Sequence, residues 1–482
     1  MKQLKWGSLL FLTALLVCSA TLVYAEVKTP AIFSDNMVLQ RDLAVPVWGW
    51  ADAGEKVTVT FNGQTKETVA GENGKWSVKL DAAPAGGPYE LTVAGSNTIA
   101  FKNVALGDVW VCSGQSNMEW QVKNVIKAEG EIQEANYPNI RFITVPKKSV
   151  NVPQDNFQGS WVPCSPQTVP GFTAVGYFFG RELHQATDVA IGLIHTSWGG
   201  SSCETWIPEG IVGQYDIYKS ILERRAAHLE KNPNGGDNQQ AGYLYNGMIA
   251  PILPYGIKGA IWYQGESNAG RAYQYRTLFP LMISTWRELW EQGDFPFYFV
   301  QLANFGKNGE PLGASAWAEL REAQALTLNL RKTGYAVTID IGTANDIHPR
   351  NKQDVGARLA RWSLAKDYGK TIPVYTGPIF NSFAIQGGKA TVGFDFAQNG
   401  LKTQDGGKVA GFIIAGADRK FVAADAVIDG GNVIVSSPEI ANPVAVRYAW
   451  ANDPGANLFN AENLPAAPFR TDDWPGVTIN NK

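Results

Sequence analysis

The sequence predicts an α/β chain whose middle part is a parallel, doubly wound sheet with β-rich segments on both sides. Three observations predict it. Apolar runs of near-continuous hydrophobicity alternate with helical periodicity over residues 103–372. Short alternating runs with Asn-Gly turns fill residues 26–102. From residue 373 to 482 short apolar runs return, separated by Gly-rich turns.

Residues 1–25 read as a signal peptide rather than as part of the fold. Lys2 and Lys5 precede an apolar core over 9–17, and Val23-Tyr24-Ala25 offers a small-residue cleavage site. Cleavage near Ala25 predicts a secreted or periplasmic protein. No later apolar run approaches the roughly 18 residues of a membrane span.

Residues 26–102 are expected to form a β-sandwich. Val57 to Phe61 alternates, Asn62-Gly63 turns the chain, and Asn73-Gly74 turns it again before Trp76 to Leu80. Tyr89 to Val93 follows a Gly-Gly-Pro turn. In the next region, strands are expected over 109–112, 140–145, 189–194, 257–263, 297–302 and 335–339. Helices are expected over 172–185, 273–290, 317–330 and 350–368. In the last region, strands are expected over 390–396, 411–415, 432–436 and 444–450, as a second β-rich piece.

Composition excludes several functions. Lys and Arg number 41 against 44 Asp and Glu, a net charge of −3 with no basic concentration, so nucleic acid is not an expected partner. The 16 Trp and 17 Tyr suit a core, and their flat faces also suit sugar rings. Beyond the signal segment the cysteines are Cys112, Cys164 and Cys203, too few for a disulfide framework and spaced for no zinc site. They allow one bridge or buried free thiols. A monomer or small homo-oligomer is expected.

In an open parallel sheet, ligands sit beyond the carboxyl ends of the strands. Four polar, Gly-containing stretches fall at such ends, around Ser116, Gly200, Gln264 and His348. Ser116 follows the apolar run Val109 to Cys112 and the turn Ser113-Gly114-Gln115. A serine at a strand-to-helix turn presents a reachable hydroxyl beside backbone donors, as an acyl-transfer nucleophile requires. It equally suits a helix N-cap. A nucleophile needs a base, and the chain has four histidines. His228 lies in a charged helical stretch and is expected in solvent; His184 is expected as a surface or capping residue. His195 ends an apolar strand and is expected packed and hydrogen-bonded. His348 lies in a loop before a helix, held extended by Pro349 with Asp346 two residues earlier, and is the candidate base.

Gly114-Gln115-Ser116-Asn117-Met118, Trp198-Gly199-Gly200, Leu244-Tyr245-Asn246-Gly247-Met248-Ile249, Trp262-Tyr263-Gln264-Gly265-Glu266-Ser267 and Asp346-Ile347-His348-Pro349 occur in this order. Together they resemble the sialate O-acetylesterase group of the SGNH hydrolase superfamily. The resemblance implies a flavodoxin-like three-layer core over 103–372, a serine esterase mechanism, and no metal or other cofactor. It implies Ser116 as nucleophile, His348 as base, and an oxyanion hole from the N–H groups of Ser116 and Gly200 with the side-chain amide of Gln264. Gln115, Asn117, Asn246 and Glu266 are expected to bind substrate. Two departures stand out. The superfamily's acid lies three residues before the histidine, where this chain has Asn345, so Asp346, a backbone carbonyl or Asp340 fills the third role. Gln264 stands where the superfamily has asparagine. The expected substrate is an O-acetylated sugar or glycan, from sialic acid to xylan or pectin. Two other readings are a glycosidase using Glu119 and Glu266 and a non-catalytic secreted sugar-binding protein.

Overall fold

A computed structural model describes residues 26–233, 238–308 and 311–482. The expected signal segment lies outside the described residues.

The central sheet has parallel strands in the spatial order Tyr137–Thr144, Ile191–Ser197, Thr98–Gly114, Gly259–Tyr263, Phe297–Val300, Thr333–Ala336. The short strand Val162–Cys164 adds an antiparallel edge beside Tyr137–Thr144. Setting aside that outer pair, the chain visits the sheet in the order 2-1-3-4-5, the doubly wound order of flavodoxin-like sheets. Its first strand is Thr98–Gly114, with its neighbours in sequence on opposite sides. The topological switch therefore falls at the carboxyl end of that strand, where Ser116 follows.

The strands are apolar along their length because helices cover both faces. Ala174–Thr187 and Lys352–Lys366 pack together on one face, and Ala272–Trp290 and Ala316–Leu326 pack together on the other. Trp110 shows the first face, its ring 4.9 Å edge-on from Phe179. Trp262 shows the second, with Phe279 at 6.2 Å and Trp286 at 5.9 Å. Such aromatic pairs contribute about 0.5–1.5 kcal/mol beyond their buried area. Truncating the fully buried Trp286 to alanine costs about 3–5 kcal/mol.

The N-terminal strands are built as the alternation requires. Lys56–Phe61 and Gln64–Val69 pair across Asn62 and Gly63, whose φ values of 46° and 74° make the tight hairpin that Asn-Gly favours. Gly86–Ala94 pairs with the first half of Thr98–Gly114, and that strand then runs unbroken into the central sheet. The two regions are thus joined by a shared strand rather than by a linker. The buried Asp108 carboxylate fastens the junction, accepting from Arg41 Nε and Nη2, each at 3.0 Å.

Past residue 372 the chain forms two four-stranded antiparallel sheets and a two-stranded pair. The fully buried Arg321 ties them to the core by donating to the carbonyls of Leu302, Ala303, Ala451 and Asn452. Cys112, Cys164 and Cys203 are all buried free thiols, so the bridge that the sequence allowed is not formed. No helix among the described residues is long and apolar enough to cross a membrane.

Candidate active site

The central strand ends at Gly114 with φ +137°, and a Cβ there would lie 2.2 Å from the Tyr263 carbonyl oxygen. Only glycine lets the two backbones pass this closely. Gln115 N–H donates to that same carbonyl at 2.9 Å, and the helix Ser116–Glu119 starts at once. Gln115 is its N-cap, so Ser116 is the first helical residue and its hydroxyl is free of capping. Ser116 Oγ lies 2.9 Å from His348 Nε2.

The Trp198-Gly199-Gly200 turn closes over the serine. A Cβ on Gly199 would sit 3.2 Å from Ser116 Cβ. Glu119 Oε2 accepts the Gly199 N–H at 2.8 Å, and its Oε1 meets Lys147 Nζ at 2.6 Å. Gly200 follows in the left-handed region, φ +76°. Among the described residues no carbonyl accepts from the backbone N–H of Ser116 or of Gly200.

His348 is held from two sides. Its ring stacks on Trp120 with centroids 5.3 Å apart and planes 18° apart. Its backbone N–H donates to Asp346 Oδ1 at 2.8 Å. The same carboxylate stands 3.9 Å from Nδ1, beyond hydrogen-bond distance. Asp346 therefore shapes the loop and acts on the ring only through space. Asp340 is not the third member either, since Arg358 holds both its oxygens at 2.7 and 2.6 Å. Burial pushes the His348 pKa below its ordinary value, Lys352 pushes it the same way, and Asp346 opposes them more weakly. The loop arginine, Arg350, turns away to donate to the Asn124 carbonyl.

The other histidines are engaged elsewhere. His195 is buried with Nε2 2.6 Å from Ser197 Oγ, and burial pushes its pKa down to about 4. His184 Nδ1 lies 2.9 Å from the Val189 carbonyl, closing the end of its helix. His228 is half-buried rather than in open solvent.

Several residues expected to meet substrate or oxyanion are instead framework. Gln264 is wholly buried. Its Nε2 donates to the Ser201 carbonyl at 3.2 Å and Asn268 Oδ1 at 2.6 Å, while its Oε1 accepts from Tyr275 Oη at 2.9 Å. Both amide hydrogens are committed, so Gln264 is not an oxyanion donor. Gln115 is buried, with Oε1 taking the N–H groups of Gly265 and Ser267 at 3.4 and 3.5 Å. Asn246 donates to the Val150 carbonyl at 3.1 Å and anchors that loop. Asn117 is buried, with Nδ2 donating to Glu266 Oε1 at 2.6 Å and to the Ile347 carbonyl at 2.9 Å. Sequence reasoning missed Trp120, Lys147 and Lys352. For Lys352 a signal existed: it occupies the apolar stripe of its helix, with Val355, Gly356, Leu359, Ala360 and Ser363.

The chain resembles known proteins over most of its length. The family model described as carbohydrate esterase, sialic acid-specific acetylesterase matches residues 106–365. The sialate O-acetylesterases of Pongo abelii and Homo sapiens are each 29% identical, with 93% of both chains covered in each case. A crystal structure of a carbohydrate acetylesterase from Xanthomonas citri is 43% identical and superposes with a TM-score of 0.86, covering 93% of this chain and 100% of that one. The matched span runs from the start of the central strand's buried half, through Ser116, to the helix that follows His348, and the chain belongs to the sialic acid-specific acetylesterase family of carbohydrate esterases.

Proposed function

We propose that the protein is an exported O-acetylesterase of SGNH type that removes acetyl groups from sialic acid, with Ser116 as nucleophile and His348 as base. The observation that carries this reading is the 2.9 Å contact between Ser116 Oγ and His348 Nε2 at the switch point of the sheet. His348 accepts the hydroxyl proton as Ser116 Oγ bonds to the acetyl carbonyl carbon. The oxyanion forms against the N–H groups of Ser116 and Gly200, which no carbonyl among the described residues occupies. Its collapse breaks the bond to the sugar oxygen, which leaves with the proton from His348. A water then gives its proton to His348 and attacks the acetyl-serine, releasing acetate and restoring the hydroxyl.

Family membership makes the chain a carbohydrate esterase, and the sialate O-acetylesterases among its relatives support sialic acid as the sugar. A second reading keeps the same catalytic atoms and takes another acetylated glycan, such as xylan or pectin. It is favoured by the higher identity, 43% against 29%, to a protein described only as a carbohydrate acetylesterase. Residues 1–25 are read as the export signal, 103–372 as the catalytic domain, and 26–102 and 373–482 as β-rich flanking domains. The test is acetate release from a panel of O-acetylated sialic acids, acetylxylan and acetylated pectin. Preferential release from sialic acid supports the first reading, and preferential release from a plant glycan replaces it with the second.

A further inference from the structure

A buried polar cluster behind the nucleophile takes no part in the mechanism above. Lys352 opens the helix Lys352–Lys366 at a position on its buried stripe, and it is wholly buried. An ammonium group only donates, and this one meets Asn117 Oδ1 at 2.5 Å. It also stands 5.0 Å from the Tyr263 ring centroid and 5.9 Å from that of Trp120. The Asn117 amide can point only one way. Its oxygen must face the ammonium, and its nitrogen must face the Ile347 carbonyl and Glu266 Oε1. Asn117 directly follows the nucleophile, and Ile347 directly precedes the base. One amide thus ties the helix of Ser116 to the loop of His348, with Lys352 and Glu266 gripping it from two sides.

We propose that Lys352 is a positioning residue: through Asn117 and the Ile347 carbonyl it fixes His348 Nε2 at Ser116 Oγ, and its charge disfavours the protonated imidazole in the resting enzyme. The proposal rests on the Ser116–His348 reading. Among the described residues, four titratable groups surround Lys352. Glu266 comes from the loop after Gly259–Tyr263, Tyr263 from the strand itself, and Asp346 and His348 from the loop before the helix. Burial pulls the Lys352 pKa down to about 7, against the pull of Glu266 and Asp346. Below that value the ammonium persists, which is the range in which His348 takes up its proton. Two cations sharing one site repel, so the charge on Lys352 opposes protonation of the base. Lys352 and Glu266 hold Asn117 from two sides rather than pairing with each other, and burying such charges costs free energy that apolar residues of the same shape would not. Positioning and electrostatic control of the base account for a cation on this stripe.

The test compares the wild type with Lys352→Met and with Lys352→Met/Glu266→Gln, using 4-nitrophenyl acetate between about pH 4.5 and 9 with Tm measured alongside. The double variant removes both charges and leaves no buried carboxylate without a cation. In both variants the acid limb of kcat/KM is expected to move up by on the order of one pH unit. Looser placement of the base is expected to lower kcat by about 10- to 100-fold with KM within about twofold. A folded double variant with wild-type kcat and an unmoved acid limb overturns the proposal. A wild type whose hydrolysis survives Ser116→Ala overturns the underlying reading instead, and the two failures are told apart by that control.

Discussion

Asp346→Asn separates a distant charge from a triad acid. The substitution removes the carboxylate charge but keeps an oxygen that can accept the His348 N–H, so the loop retains its 2.8 Å hydrogen bond. At 3.9 Å between Asp346 Oδ1 and His348 Nδ1, a unit charge pair is worth about 1 kcal/mol in water and about 4 kcal/mol at an effective dielectric of 20. The side chains of Asp346 and His348 are 52% and 31% exposed, so the lower figure governs. Losing about 1–1.5 kcal/mol of stabilisation of the imidazolium formed in the transition state lowers kcat/KM about tenfold. A hydrogen-bonded triad acid would cost about 10⁴. The assay is kcat/KM for a small acetyl ester near pH 8, where His348 is neutral in both proteins. The acid limb moves as well. Asp346 favours the charged ring, so removing its charge lowers the His348 pKa further and shifts the limb to lower pH, opposite to the shift expected from Lys352→Met. A loss above about 10³ in a folded protein, or a limb that moves up, would refute the reasoning.

Ser116→Ala is expected to abolish esterase activity with Tm unchanged within error, because the hydroxyl neither caps the helix nor is buried; a serine-directed phosphonate, read by mass spectrometry, should label wild type at Ser116 and fail to label the variant. The kcat/KM profile is expected to fall on the acid side through one proton with a midpoint below 6.5, since the folded His348 pKa is lowered and the base stays neutral to lower pH than an ordinary histidine. An acidic optimum with a falling limb near neutrality would favour a carboxylate pair such as Glu119 and Glu266. Gln264→Leu is expected to lower stability by about 1–3 kcal/mol for each buried partner left unpaired, Tyr275 Oη and the Ser201 carbonyl being the candidates. Its kcat in the folded protein should fall by less than tenfold, and a loss of 10²–10³ without loss of Tm would restore Gln264 to the oxyanion hole.

The fold was legible where local chemistry decides it. The strand expected over 189–194 is Ile191–Ser197, and the helix expected over 273–290 is Ala272–Trp290. Asn62-Gly63 makes its hairpin because few other dipeptides accept positive φ at both positions. Strand order was not legible from the alternation. Gln115 meets Tyr263, 148 positions further along the chain, yet nothing in either apolar run says which strand lies beside which. The junction at residues 102–103 was hidden for a related reason. A change of pattern from alternating to continuous apolar residues reads as a boundary, whereas one strand, Thr98–Gly114, simply passes from a half-exposed sheet into one buried on both faces.

The site divided along a similar line. Ser116 and His348 stand out in the sequence because a strand end dictates where a reactive side chain can be presented, and because the chain has so few histidines. The amides also have framework partners in the structure because their residue type has two uses. A loop rich in glycine at a strand end leaves many backbone groups without a ladder partner, and buried groups of that kind must be paired. Gln115 serves the N–H groups of Gly265 and Ser267, Asn246 the Val150 carbonyl, and Asn117 the Ile347 carbonyl. Each partner lies between 96 and 230 residues away, so no spacing in the sequence could assign it. Lys352 differs from them. Its place on the apolar stripe of a helix breaks a local rule, and a lysine there must find an acceptor inside the protein. A broken local rule is readable from sequence even when its partner is not, and here its partner is the amide that joins nucleophile to base.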